Sequence, residues 1–160
     1  MSVDTKREDF LISTDPAKLD VTAIHAFLTC SYWSEGIDEP TVRRSIANSL
    51  CFGIFWSERQ IGFARVVTDR STFAYLADVF VVDEFKGRGL SKWMMEVIVG
   101  HPDLQGLRRW LLATRDAHDL YRKYGFAALA APGRFMERYD ADAYRRPPPT
   151  AAGDGAKASE

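Results

Sequence analysis

The stretch Val79-Phe80-Val81-Val82-Asp83-Glu84-Phe85-Lys86-Gly87-Arg88-Gly89-Leu90-Ser91-Lys92 changes character halfway. Val79–Val82 is a continuous apolar run of the kind a buried strand carries. From Leu90 onward the apolar residues are Leu90, Trp93, Met94, Val97 and Ile98, the one-sided stripe of an amphipathic helix. Between strand and helix lie Gly87 and Gly89, which permit backbone conformations closed to other residues and let a ligand come close. Such a turn presents unpaired N–H groups at a helix N-terminus, where the macrodipole also favours an anion. Lys86, Arg88 and Lys92 add positive charge, and the combination suits a pyrophosphate.

Working outward, the chain alternates between strand and helix patterns. Phe10–Ser13 reads as a first strand, and Asp20 caps a helix with Val21, Ile24, Phe27 and Leu28 on one face. Glu39-Pro40 opens a second helix whose inward stripe is Val42, Ile46 and Leu50. Cys51–Trp56 and Ile61–Thr68 form a hairpin about Ser57–Gln60, and Phe73–Val82 extends it to an antiparallel meander. After the glycine-loop helix, which stops before His101-Pro102, Arg109–Ala113 is a strand. Asp116–Tyr124 is a helix ended by Gly125, and Ala128–Ala131 and Arg134–Tyr139 are the last strand candidates. The expected fold class is α/β: a mixed, mostly antiparallel sheet with helices on both faces. Residues 1–144 form one domain, and 145–160 form a tail without large apolar residues that is expected to be disordered.

Composition narrows the function. The chain has 160 residues, 46% hydrophobic and 27% charged, enough for one globular core. Its net charge of −1 gives no global attraction to nucleic acid or an anionic membrane, so anion binding must be local. No window approaches the roughly 18–20 apolar residues of a membrane span, and Met1–Asp9 has no apolar signal core. Cys30 and Cys51 are too few for a disulfide framework and read as reduced core residues of a cytoplasmic protein. His25, His101 and His118 lie far apart, and no metal is expected. A Walker loop is absent, and the position of the third glycine of a dinucleotide fingerprint is Lys92, so nucleotide binding through this loop is disfavoured.

Lys86-Gly87-Arg88-Gly89-Leu90-Ser91 resembles the acetyl-CoA loop of the GNAT superfamily of N-acetyltransferases, Arg/Gln-x-x-Gly-x-Gly/Ala, with Lys first and Ser last. Downstream, Ala117-His118-Asp119-Leu120-Tyr121-Arg122-Lys123-Tyr124-Gly125-Phe126 is similar to that family's Ala-x-x-Leu-Tyr-x-x-x-Gly-Phe. The two motifs occur in the family's order and spacing. The resemblance implies an acetyl-CoA-dependent transfer to a primary amine by direct attack on the thioester. It also implies that main-chain groups of Val79, Phe80 and Val81 pair with the pantetheine arm, and that Lys86 to Ser91 wrap the pyrophosphate. Thr114 stands where the family often has an Asn that touches the cofactor. Tyr121 is the position that commonly protonates the departing CoA thiolate.

Transfer to an amine needs a neutral nucleophile, a stabilised oxyanion and a protonated leaving group. Tyr121 serves as the acid or, since Ala117, Leu120, Tyr121 and Tyr124 form a helical stripe, as a core aromatic. The strand Arg108–Thr114 lacks the carboxylate some relatives use as base, so Asp78, an acid within an apolar strand, is the candidate base or a hydrogen-bonded structural residue. Water is a third route for the proton. The acceptor is expected at Ser31–Ile37, with Tyr32, Trp33 and Glu35 as substrate-binding candidates; Tyr32 and Trp33 equally suit core packing. A small amino-acid-like or polyamine-like acceptor, a protein acceptor and a non-catalytic acyl-CoA sensor are the competing readings, and family habit allows a homodimer.

Overall fold

A computed structural model describes residues 1–147. Six strands form one sheet in sequence order: β1 (Asp4–Arg7), β2 (Phe10–Ser13), β3 (Leu50–Trp56), β4 (Arg59–Thr68), β5 (Phe73–Val81) and β6 (Arg109–Leu112). The first four junctions are antiparallel, and only β5 and β6 run parallel. The parallel step requires a crossover, supplied by α3 (Leu90–Val99). The other helices are α1 (Val21–Leu28), α2 (Glu39–Ala47) and the short α4 (His118–Arg122).

Strand alternation sorts the core into two layers. Phe52, Ile54, Ala64, Val66, Leu76 and Val81 point to the face covered by α3 and α4, where they meet Trp93, Met94, Met95, Ile98 and Tyr121. Cys51, Phe63 and Phe80 point to the opposite face and pack on Ile24, Leu28 and Val42 of α1 and α2. Phe80 stacks on Phe27 at 3.7 Å between ring centroids, fixing α1 against β5. Asp20 caps α1 by accepting the Ala23 N–H, and Asp38, one residue before the expected start, caps α2 through the Thr41 N–H.

Four expectations need correction. Leu50 is not on the second helix but opens β3, because α2 stops at Ala47 and Asn48-Ser49 turns the chain. β1 was not anticipated: Asp4-Thr5-Lys6-Arg7 is polar, and only an edge strand that is half open to water tolerates such a pattern. Cys30 is exposed rather than in the core; Cys51 is buried, which pushes its thiol up to about 12. Neither Ala128–Ala131 nor Arg134–Tyr139 forms a strand; Pro132–Arg134 is a single 3-10 turn and the flanking residues are irregular and largely exposed. Most of the expected tail lies outside the described residues. Among the described residues no helix is long and apolar enough to cross a membrane.

Candidate active site

The site begins with an irregularity in β5. Phe63 pairs with Phe80 and Arg65 with Ala77, so Ala64 of β4 faces two residues, Asp78 and Val79. That is a β-bulge, and Asp78 takes a positive φ of 56° there. A bulged strand bends. β6 pairs with β5 only from Phe73 to Leu76, and beyond the bulge the two strands separate. The Val82 N–H donates to Ile61 O of β4. Alternation therefore turns Phe80 main-chain groups toward β4 as well, and those of Val79 and Val81 toward the gap.

Asp78 is held from two sides. Arg65 Nε donates to its Oδ2 at 2.8 Å, and the Trp33 indole N–H donates to its Oδ1 at 3.1 Å. Arg65 also donates through Nη1 to Ser49 Oγ at 3.2 Å. The Arg65 and Asp78 side chains are only 18% and 10% exposed, so the ion pair works in a poorly screened environment. The same contacts tie the loop after α1 to the bulge through Trp33.

The glycine loop sits at the end of β5. Gly87 and Gly89 have φ of 78° and 73°, and a Cβ at either position would meet nothing within 4 Å. The space is open to a ligand. Gly89 is the N-cap of α3 and supplies no side-chain cap, so the first N–H groups of the helix face that space without a protein acceptor from this position. Leu90 is buried beneath the loop, while Lys86 and Arg88 lie on the surface. Lys86 pairs with Asp83 at 2.6 Å, and the Arg88 guanidinium rests on the Phe85 ring at 4.9 Å.

The gap between β5 and β6 widens into a cleft of about 840 Å³. Val79, Phe80, Val81, Lys86, Ser91, Thr114 and Tyr121 line it, and so do Tyr32, Trp33 and Asp78. Glu35 is exposed and does not line the cleft. The Thr114 hydroxyl accepts the Ala117 N–H at 3.0 Å, closing the turn into α4. Tyr121 is 8% exposed, and burial, with the neighbouring Tyr32 and Asp116, pushes its phenol up to about 12. It therefore holds its proton throughout the physiological range.

Several cleft residues escaped the sequence reading. Arg115 lays its guanidinium over the Tyr32 ring at 3.9 Å, and the Arg115 main-chain N–H donates to Tyr32 Oη at 3.3 Å. Tyr144 reaches the cleft from the C-terminal segment, whose carbonyl at that residue lies 3.4 Å from a Cβ placed on Gly36. In the sequence Arg65 is marked only as part of the Ile61–Thr68 strand. No local signal marks these three, because their roles come from chain reversals far apart in sequence.

A second cleft of about 710 Å³ lies on the far side of β6, bounded by Trp110, Tyr124, Phe126 and Leu129. Tyr121 borders both clefts.

The family model for the acetyltransferase (GNAT) family matches residues 21–126. This chain belongs to the GNAT family. It is 33% identical over 140 residues to a Gibberella zeae protein named as an acetyltransferase, a match covering 73% of this chain and 78% of that one. A crystal structure of a GNAT-family acetyltransferase from Xanthomonas campestris pv. campestris superimposes with a TM-score of 0.84 at 49% identity, covering 86% of this chain and 97% of that chain. A more distant GNAT-family acetyltransferase, from Elizabethkingia anophelis with acetyl-CoA bound, shares the fold at a TM-score of 0.59 and 12% identity, covering 84% of this chain and 91% of that one. The protein is thus an acetyl-transferring enzyme of a family whose cosubstrate is acetyl-CoA.

Proposed function

We propose that this GNAT protein acetylates a primary amine of a small molecule in the cleft between β5 and β6. The observation that carries the reading is the convergence of three features on one gap: a stretch of β5 beyond its pairing with β6, the start of α3 without a side-chain cap, and the buried phenol of Tyr121. The residues present fit acetyl-CoA. Gly87, Arg88, Gly89, Leu90 and Ser91 offer N–H groups and Lys86 a nearby charge to a pyrophosphate, and Val79 and Val81 offer strand hydrogen bonds to an amide-bearing arm. Phe80 contributes its ring to the cleft wall rather than its main chain. Acetyl-CoA supplies the activated acyl group and a thiolate leaving group.

The chain's own residues then divide the work. A strand N–H turned into the gap stabilises developing negative charge on an acyl oxygen. Tyr121 donates its proton to the leaving sulfur, a role that its raised pKa keeps available. Asp78 already accepts from Arg65 and Trp33, which favours its structural alternative: it positions the bulge and the Trp33 loop. The ammonium proton is assigned to water in the open cleft. The outer edge of β6, the last strand in the sheet order among the described residues, is where a homodimer contact is proposed.

The test is titration of acetyl-CoA into the purified protein, with free-thiol release measured against amines and amino acids. Binding with amine-dependent release supports the reading. Binding without release on any acceptor favours a non-catalytic acyl-CoA sensor. Absence of binding overturns the assignment of the glycine loop.

A further inference from the structure

The acceptor end of the cleft has an uneven chemistry. Tyr32, Trp33, Tyr75 and Tyr144 are 50%, 39%, 36% and 43% exposed, and all four line this one cleft. They come from the loop after α1, from β5 and from the C-terminal segment, so no single helix or strand periodicity brings them together. Tyr32 and Trp33 meet edge to face at 5.1 Å, and Trp33 leans on Phe27 at 6.2 Å. Large aromatic faces left open to water in a concave site are costly unless a ligand covers them.

The charges lining the same end are selective. Among the described residues the two carboxylates on this side are Asp78 and Asp116. Asp78 is consumed by Arg65, and Asp116 has Arg115 as its neighbour at 3.9 Å. The second ammonium of a polyamine would meet only Asp116 here, and that carboxylate sits beside the positive charge of Arg115. Glu35, the acidic member of the expected substrate-binding set, is outside the cleft. The Arg115 side chain is 66% exposed and lies over the Tyr32 ring at 3.9 Å, and its 3.9 Å contact with Asp116 is too long to be a hydrogen bond, which leaves its donors available to an anion.

Resting on the transfer reading above, we infer that the acceptor is an amine borne on a flat aromatic body with a carboxylate nearby, the class of aryl-bearing α-amino acids. The ring lies among Trp33, Tyr75 and Tyr144, and Arg115 holds the carboxylate. This arrangement leaves the amine directed into the gap between β5 and β6.

The experiment measures thiol release by the full chain with acetyl-CoA and four acceptors: L-phenylalanine, phenethylamine, L-alanine and putrescine. Phenylalanine is expected to exceed both alanine and putrescine in kcat/KM by about tenfold or more, the scale of one well-made aromatic contact set. Arg115→Gln is expected to shrink the phenylalanine-to-phenethylamine ratio by about tenfold, the scale of a charge-assisted hydrogen bond. Tyr75→Ala is expected to shrink the phenylalanine-to-alanine ratio by a similar factor, about tenfold. Far-ultraviolet circular dichroism and the Kd for acetyl-CoA, measured on each variant, show whether it has folded. Preference for putrescine or alanine, no turnover of phenylalanine, or unchanged ratios in folded variants overturns the inference. Loss of acetyl-CoA binding by the wild-type chain overturns the transfer reading instead.

Discussion

Arg65 on β4 and Asp78 on β5 form an ion pair at 2.8 Å directly across the bulge that parts β5 from β6. Asp78 has a positive φ, uncommon for a residue with a side chain, and the bonds from Arg65 and Trp33 give it a reason to stay there. Opening of the cleft is thereby linked to one pair of side chains and to the loop that carries Trp33.

Removing Arg65 strands a carboxylate that is only 10% exposed. Arg65→Met is expected to lower unfolding free energy by about 3 kcal/mol, the scale for an orphaned partner of a buried pair. Adding Asp78→Asn removes the uncompensated charge, so the double variant should recover part of that loss. Urea denaturation of the two single variants and the double variant measures the coupling. Additive effects would show that the pair does not hold the bulge.

Tyr121→Phe should leave the fold intact and lower kcat by about a hundredfold, the lower range for general acid catalysis. The phenol is raised to about 12 by burial, with Tyr32 and Asp116 adding to it. Its folded pKa exceeds the unfolded value of about 10. The linked stability is therefore complete below about pH 10 and is lost as pH rises toward the folded pKa. Wild type should lose stability across that alkaline window, and Tyr121→Phe should lose less. A pH series of thermal unfolding beside kcat separates the catalytic role from the packing one.

How far the sequence could be read depended on whether a signal was local. The i, i+3, i+4 stripe from Leu90 to Ile98 belongs to one helix, and the glycines before it mark one turn; both are in the structure where periodicity put them. The β3–β5 meander was equally plain from its β-branched and aromatic runs. β1 was hidden because an edge strand of Asp, Thr, Lys and Arg has no apolar face. The pattern of Arg134–Tyr139 suggested a strand, but strand pairing needs a partner edge in register, and none is made here. The cleft was half legible: Tyr121 and the loop announced themselves by motif. Arg115 and Tyr144 meet Tyr32 and Gly36 only after the chain has folded.

His101 follows the C-terminus of α3 and is 4% exposed. Its Nδ1 accepts the Asp103 N–H at 3.2 Å, whereas Nε2 is buried without a partner among the described residues and the ring meets Phe52 edge to face at 5.6 Å. Burial holds its pKa below the ordinary value, with Asp103 opposing and Arg70 reinforcing the shift. Between the folded pKa and about 6.5 the unfolded chain binds the extra proton, so stability must fall as pH drops through that window. Asn at this position keeps an acceptor for the Asp103 N–H but cannot titrate. Wild type should lose thermal stability between pH 7 and the folded pKa more steeply than His101→Asn, and parallel curves would remove His101 as the cause.

Gly89 and Gly106 allow the backbone cost of a side chain to be separated from its effect on a ligand. Their φ values are 73° and 71°, and a Cβ at either would meet nothing within 4 Å. Alanine should therefore cost similar folding free energy at both, about 1 kcal/mol for a left-handed residue. Gly106 lies in the turn before β6 and borders the second cleft, away from the glycine loop. Gly89 is the N-cap of α3, where a methyl group would enter the space assigned to the pyrophosphate. Gly89→Ala should thus weaken acetyl-CoA binding by about tenfold or more, the factor that one lost charge-assisted contact gives, while Gly106→Ala should match it in unfolding and leave Kd unchanged. Calorimetric titration paired with chemical denaturation reads both quantities. Equal losses of affinity in the two variants would trace the effect to general destabilisation and leave the loop without its assigned ligand.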